Sequence, residues 1–210
     1  MIEPSPELLV VDMGGVLCRW VPDRRLHALA SLSGLPASTV DELVFTSGFD
    51  DAADRGRFDL ARFTAELRSL LVLGPDVDDD AVRGAWATAF EPDPRVLTLV
   101  DRATAPTALF TNNGPLLESA LDHELAVVSQ VVDRIVCSWR VGATKPDPAA
   151  YAAAADLLGV HPSVVLFVDD SDENVVAARA AGWQAHHFTD PLNLTATLRG
   201  AGLLAGGPPF

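Results

Sequence analysis

The chain has 210 residues, enough for one sizeable hydrophobic core or a core domain with a small accessory one, and too few for two large domains. Its 49% hydrophobic and 21% charged residues exclude an intrinsically disordered protein. With 15 Lys and Arg against 29 Asp and Glu, the formal charge of −14 repels polyanions, and no basic stripe interleaved with aromatics offsets it, so no nucleic-acid partner is expected.

That field also opposes a small phosphorylated ligand, so a phosphate site here requires a local lysine or a metal ion. Cys18 and Cys137 lie far apart and form no CxxC pair, which fits a reducing compartment. The N-terminus lacks a basic region followed by an apolar stretch, and every hydrophobic run is interrupted before the roughly 18 residues a membrane span needs. A cytoplasmic location with no membrane partner is the expectation.

In chain order, the first element is a buried strand over 8–11, an apolar run that ends on Asp12-Met13-Gly14-Gly15. An aspartate at the C-terminal end of a buried strand lies where open α/β sheets hold ligands, and the glycines permit a tight turn. Taken alone, it fits a helix cap or a turn equally well.

From about Trp20 to Phe90 no strand is evident. Pro22 opens a helical segment that Gly34 stops, a second covers 38–45, Asp59 caps a third, and 81–90 makes a fourth. In the third, Leu60, Phe63, Leu67, Leu70 and Leu71 share one face.

Strands resume at 107–111, where the run enters Thr111-Asn112-Asn113-Gly114. Thr111 supplies a hydroxyl, and the amides of Asn112 and Asn113 suit either an anion-holding turn or an ordinary Asx turn before the helix that Pro115 opens. A weaker strand covers 135–138. Lys145 follows, aimed by Pro146 and set just before a helix that Asp147 caps and Gly159 ends. This is the local cation the global charge calls for.

The strand at 164–168 leads into Asp169-Asp170-Ser171-Asp172-Glu173-Asn174. Helix capping accounts for Asp172 and Glu173. Asp169 beside Asp170 is different, because adjacent carboxylates at a strand end repel unless a cation sits between them, and oxygen ligands near a phosphate suit magnesium. A helix from about Asp172 to Ala181 and a strand over 184–188 complete the pattern, and the glycine- and proline-rich residues after Leu198 specify no helix.

These observations predict an α/β protein: a Rossmann-like parallel sheet with helices on both faces and a small all-helical cap inserted after the first strand. The expected division is a core of 1–18 and 91–201, a cap of 19–90 and a flexible tail of 202–210. Four motifs in order, Asp12 after a strand, Thr111 after a strand, Lys145 followed by Pro146, and the acidic pair Asp169-Asp170 after a strand, resemble those of the haloacid-dehalogenase-like superfamily. The resemblance extends over essentially the whole chain, cap insertion included, and is closest to the small capped phosphatase branch.

The resemblance implies magnesium-dependent hydrolysis of a small phosphorylated metabolite, such as a sugar phosphate, by a monomer or homodimer. It casts Asp12 as the nucleophile and assigns the phosphoryl oxygens to Thr111, Asn112, Asn113 and Lys145. It gives the metal to Asp12, the carbonyl of Gly14 and Asp170, with Asp169 as a ligand or a supporting partner, and has Asn174 ordering the fourth loop. Trp20, Arg24, Phe45, Phe49, Arg57 and Phe58 are the cap candidates for contacting substrate. The departure is Gly14, where relatives carry the aspartate that protonates the leaving oxygen; His27, Asp50, Asp51 and Asp54 are alternative suppliers. Two other readings stay open: a non-catalytic phosphate- or protein-binding module, motivated by that glycine, and a dehalogenase, opposed by the retained acidic pair and by the absence of an aromatic at position 14.

Overall fold

The computed structural model describes residues 4–205. The chain begins with β1 (Leu8–Val11) and β2 (Cys18–Trp20), then enters α1 (Pro22–Ser33), α2 (Ala37–Val40), a π-helical turn at Asp41–Thr46, α3 (Phe49–Asp54), α4 (Leu60–Leu70) and α5 (Asp79–Ala87). It leaves through β3 (Phe90–Pro92) and continues as α6 (Pro94–Asp101), β4 (Thr107–Thr111), α7 (Pro115–Leu121), α8 (Ala126–Ser129), β5 (Arg134–Cys137) and α9 (Ser138–Val141). The remaining elements are α10 (Pro148–Leu158), a 3-10 turn at Pro162–Val164, β6 (Val165–Asp169), α11 (Asp172–Ala180), β7 (Gln184–His187) and α12 (Pro191–Gly200).

Five strands form one parallel sheet in the order β5-β4-β1-β6-β7. The sheet is covered on both sides, which is why Leu8-Leu9-Val10-Val11 reads as an unbroken apolar run. Alternate residues serve opposite faces: Leu9 and Val11 pack into the larger core, which runs on into the insert, while Leu8 and Val10 pack with Phe110, Tyr151, Phe167 and Trp183. The chain first builds outward from β1 through β4 to β5, then returns to add β6 and β7 on the other side. Strand order reverses at β1, and a crevice opens there at the C-terminal strand ends.

Several helices begin where side chains satisfy free backbone donors: Asp59 accepts from Arg62 N at 2.8 Å, Asp78 from Ala81 N at 2.8 Å and Asp147 from Ala149 N at 2.9 Å. The Asp78 cap corrects the helix expected at 81–90, which starts at Asp79 and ends at Ala87. The segment expected at 38–45 is a short α-helix continued by a π-helical turn. The expectation of no strand between Trp20 and Phe90 also needs correction at its edges. There β2 and β3 pair antiparallel, Trp20 opposite Phe90 and Cys18 opposite Pro92, so both ends of the helical insert are clasped together beside the first loop.

The loose tail expected from 202 is corrected within the described residues. Leu203 and Leu204 are buried, and Leu204 bridges to Ala103. Residues 206–210 lie outside the described residues. Among the described residues no helix is long and apolar enough to cross a membrane.

Candidate active site

The C-terminal ends of β1, β4 and β6 and the loop before α10 converge on the ammonium of Lys145. Its Nζ donates to Asp12 Oδ1 at 2.8 Å, to Asp169 Oδ2 at 2.7 Å and to the Phe110 carbonyl at 3.0 Å. All three donor positions of the ammonium are thus engaged. The rings of Phe110 and Phe167 lie 5.2 and 5.0 Å from Nζ, so a cation is held inside the protein between two carboxylates and two aromatic faces. Burial pulls the Lys145 ammonium down, but Asp12 and Asp169 outweigh it and hold the lysine above its ordinary range. Burial pushes the Asp12 carboxyl the other way, up to about 6, against the pull of Lys145.

Asn112 fixes where Lys145 stands. Its Oδ1 accepts from Lys145 N and its Nδ2 donates to the Lys145 carbonyl, both at 2.8 Å, so the loop after β4 grips the lysine backbone from both sides. Asn113 Nδ2 donates to Thr111 Oγ1 at 2.7 Å, which occupies one acceptor position and leaves the threonine hydroxyl proton to point elsewhere. The anion-holding role expected of the Asn113 backbone amide needs correction, since that N–H donates to Ser138 Oγ at 3.0 Å.

The two acidic residues of the fourth loop differ in kind. Asp169 is fully buried and saturated: besides Lys145, it accepts from Ser171 N at 2.8 Å and from Asn174 Nδ2 at 3.0 and 3.2 Å. Asn174 therefore does order the fourth loop. Asp170 is open to the cavity, and its carboxyl is raised by burial and then by Asp169. Gly15 has φ +83°, and a Cβ there would fall 2.0 Å from Asp170 Oδ2, so only glycine lets the first loop pass this close to the fourth. Asp12, Asp169 and Asp170 place ligand-type oxygens within 4.8 Å of one another. An all-oxygen set that includes a carboxyl destabilised by its neighbour is compatible with a hard divalent cation.

A cavity of about 310 Å³ opens over this cluster, with Asp12, Gly14, Thr111, Lys145 and Asp170 below and Trp20, Arg25, Asp50, Asp54 and Phe90 above. Of the expected cap contacts only Trp20 lines it, its ring tilted against Phe90 at 4.8 Å. Arg24 points away and pairs with Glu91 at 2.6 Å. Phe49 and Phe58 pack with Phe63 inside the cap, Phe45 stacks on Trp86, and Arg57 is exposed and lies off the cavity. The residue missed was Arg25, buried and set against the rings of Trp20, Trp86 and Phe90 at 5.0, 4.3 and 5.3 Å. Helical phase could have found it, because Arg25 stands one turn before Leu29 on the buried stripe of α1.

A parallel α/β sheet that reverses at its first strand, carries a helical insert beside that strand and gathers aspartate, lysine and an acidic pair at one crevice defines a hydrolase architecture with a carboxylate at its centre. Residues 6–182 match the model of the haloacid dehalogenase-like hydrolases, and the chain belongs to that family. It is 32% identical to Phosphatase MT3486 of Mycobacterium tuberculosis over 87% of each chain. It is also 25% identical to a D-ribitol-5-phosphate phosphatase of Bacteroides thetaiotaomicron over 84% of this chain and 88% of that one. A predicted HAD-like family hydrolase from Porphyromonas gingivalis superposes with a TM-score of 0.74 at 18% identity, covering 93% of this chain and 98% of that one, and so shares the fold.

Proposed function

We propose that this hydrolase cleaves small phosphomonoesters, with Asp12 as nucleophile and magnesium held by Asp12, Asp170 and the Gly14 carbonyl. The observation that carries the proposal is the three-way bond of Lys145 to Asp12, Asp169 and the Phe110 carbonyl at the floor of one small cavity. In a chain of charge −14, this buried cation is what lets a phosphoryl group approach a carboxylate.

Lys145 fixes one Asp12 oxygen and so orients the carboxylate for attack on phosphorus, which forms an aspartyl-phosphate that water then cleaves. The Thr111 hydroxyl, held by Asn113, donates to a phosphoryl oxygen. Asp169 acts as a supporting partner, because its oxygens are already hydrogen-bonded. Bound magnesium would supply positive charge to the phosphoryl oxygens. The cavity is the size of a small metabolite, and the polar cap groups Arg25, Asp50 and Asp54 suit a hydroxyl-bearing leaving group such as a polyol or sugar. The relationship to a ribitol-phosphate phosphatase supports the same substrate class.

The test is magnesium-dependent turnover of an aryl phosphate and of a polyol phosphate panel, with Asp12→Asn abolishing both, and a structure with beryllium fluoride and magnesium. An adduct on any other residue overturns the mechanism. Phosphate analogues that bind without any turnover favour the non-catalytic module that Gly14 motivates.

A further inference from the structure

Gly14 leaves the first loop without a side chain to protonate a leaving oxygen, yet the cavity does not lack acids. Of the four candidates expected from the sequence, two are misplaced. His27 is exposed on α1 with Nδ1 against the Asp23 carbonyl at 2.7 Å, and Asp51 is exposed and paired with Arg55 at 3.0 Å. Asp50 and Asp54, one turn apart on α3, both face the cavity that holds Asp12.

Asp54 is also tied to the catalytic floor. Ser138 Oγ donates to the Asp54 carbonyl at 2.7 Å while accepting from Asn113 N at 3.0 Å, so one serine joins the end of α3 to the loop after β4. A Cβ on Gly114 would lie 3.5 Å from Asp54 Oδ1, which sets the carboxyl directly over that loop.

The charge balance above the cavity distinguishes the two carboxyls. Arg25 is 3% exposed; its Nε donates to the Trp86 carbonyl at 2.9 Å, and its Nη2 has no hydrogen-bond partner among the described residues. Its charge acts through space on both Asp50 and Asp54. After burial, the strongest influence on Asp50 is Arg25, whereas the strongest on Asp54 is repulsion from Asp50. Arg25 thus offsets the rise of Asp50 more than that of Asp54, and Asp54 is the carboxyl held further toward its protonated form.

Resting on the phosphatase reading, we infer that Asp54 of the cap is the general acid and base of this enzyme, in place of the side chain that Gly14 lacks. As Asp12 bonds to phosphorus and the P–O bond to the leaving group breaks, the Asp54 proton passes to the leaving oxygen and releases an alcohol. The Asp54 carboxylate then takes a proton from water as that water attacks the aspartyl-phosphate. Inorganic phosphate leaves, and both aspartates return to their starting states. A supplier on the cap also makes acid catalysis conditional on the α3–Ser138 contact, which an aspartate at position 14 would not require.

The experiment compares Asp54→Asn with the unaltered enzyme on aryl and alkyl phosphates. Alkyl phosphate turnover falls by about 10²–10⁴. An aryl phosphate, whose leaving group needs no proton, still gives a burst of phenol equal to the enzyme present, followed by slow turnover with phosphate trapped on Asp12. That burst shows in itself that the variant is folded. Gly14→Asp added to Asp54→Asn restores at least tenfold of the alkyl phosphate rate, since a Cβ at Gly14 meets Phe90 and Trp20 only at 3.6 and 3.9 Å. In the unaltered enzyme, phosphorylation rates across an aryl phosphate series depend weakly on leaving-group pKa. A steep dependence there, or an Asp54→Asn enzyme with unchanged alkyl phosphate turnover, overturns the assignment of Asp54 and leaves the phosphatase reading standing. Absence of magnesium-dependent turnover in the unaltered enzyme instead removes the phosphatase reading itself.

Discussion

Lys145 and Asp169 form a closed pair: their side chains are 1% and 0% exposed, and 2.7 Å separates ammonium from carboxylate. Asp169 touches no part of the cavity, so the pair acts structurally, fixing the height at which the ammonium meets Asp12. Removing the cation leaves two carboxylates facing each other in a buried setting. Lys145→Met is therefore expected to abolish turnover and to cost about 3–5 kcal/mol of stability. Urea unfolding checks this, and Asp169→Asn in the same chain should recover part of the loss. Equal stability of the single and double variants would refute the pairing argument.

The first loop makes a separate prediction through Gly15. A methyl group at this position collides with Asp170 Oδ2 and requires a φ that side chains rarely adopt. Gly15→Ala is expected to displace the Asp170 carboxylate and raise the magnesium concentration for half-maximal activity by roughly 10–100-fold, the size seen when a ligand's support is lost. Titration of activity with magnesium measures this, and an unchanged half-saturation point would remove Asp170 from the metal set.

Neighbouring arginines on α1 separate surface from site. Arg24 is half exposed and bonded to Glu91 outside the cavity, so Arg24→Ala should leave kcat/KM within about twofold, as surface pairs contribute little. Arg25 is enclosed by three aromatic rings over the cavity. Arg25→Met keeps the packing but removes the positive charge beside Asp50 and Asp54, and is expected to lower kcat/KM on a polyol phosphate at least tenfold. Comparable kinetics for the two variants would place Arg25 outside substrate recognition.

The contrast between these arginines shows what was legible. Asp12, Thr111 and the acidic pair could be read because each sits at the end of an apolar strand, and Lys145 because Pro146 and the Asp147 cap follow it; both are local signals. The parallel sheet followed from the same runs. The cap contacts were misassigned because which face of a helix meets a cavity depends on how helices pack, and Arg24 and Arg25 differ only by one residue of phase. Of the helices that went unread, α6 and α12 carry the cap-then-proline signature at their starts, Asp93-Pro94 and Asp190-Pro191. The β2–β3 clasp was illegible for another reason: three-residue strands paired across some seventy positions carry no periodicity. Ser138 was equally hidden, because its role arises only where α3 meets the loop after β4.

The last prediction concerns pH and the stability of the cap. Asp54 faces Asp50 and Asp51 of its own helix, Arg25 of α1, Arg55 just beyond α3 and the buried Cys137 thiol at the end of β5. Burial, then repulsion from Asp50, holds the Asp54 carboxyl well above its ordinary 3.8. The folded chain then keeps a proton that the unfolded chain has released, so stability falls as pH climbs from the ordinary carboxylate range toward the folded pKa of Asp54, and it is regained as pH falls. Asparagine has the shape of the protonated acid and does not titrate. Asp54→Asn should therefore match the unaltered chain near pH 4 and exceed it near pH 8, by roughly 2–4 °C in Tm if the difference is about 1 kcal/mol. Scanning calorimetry at several pH values reads this directly. A Tm difference that does not change with pH would mean that Asp54 titrates normally, whereas a gain in stability coupled to a loss of alkyl phosphate turnover is the signature of a carboxyl kept protonated for chemistry at the expense of the fold.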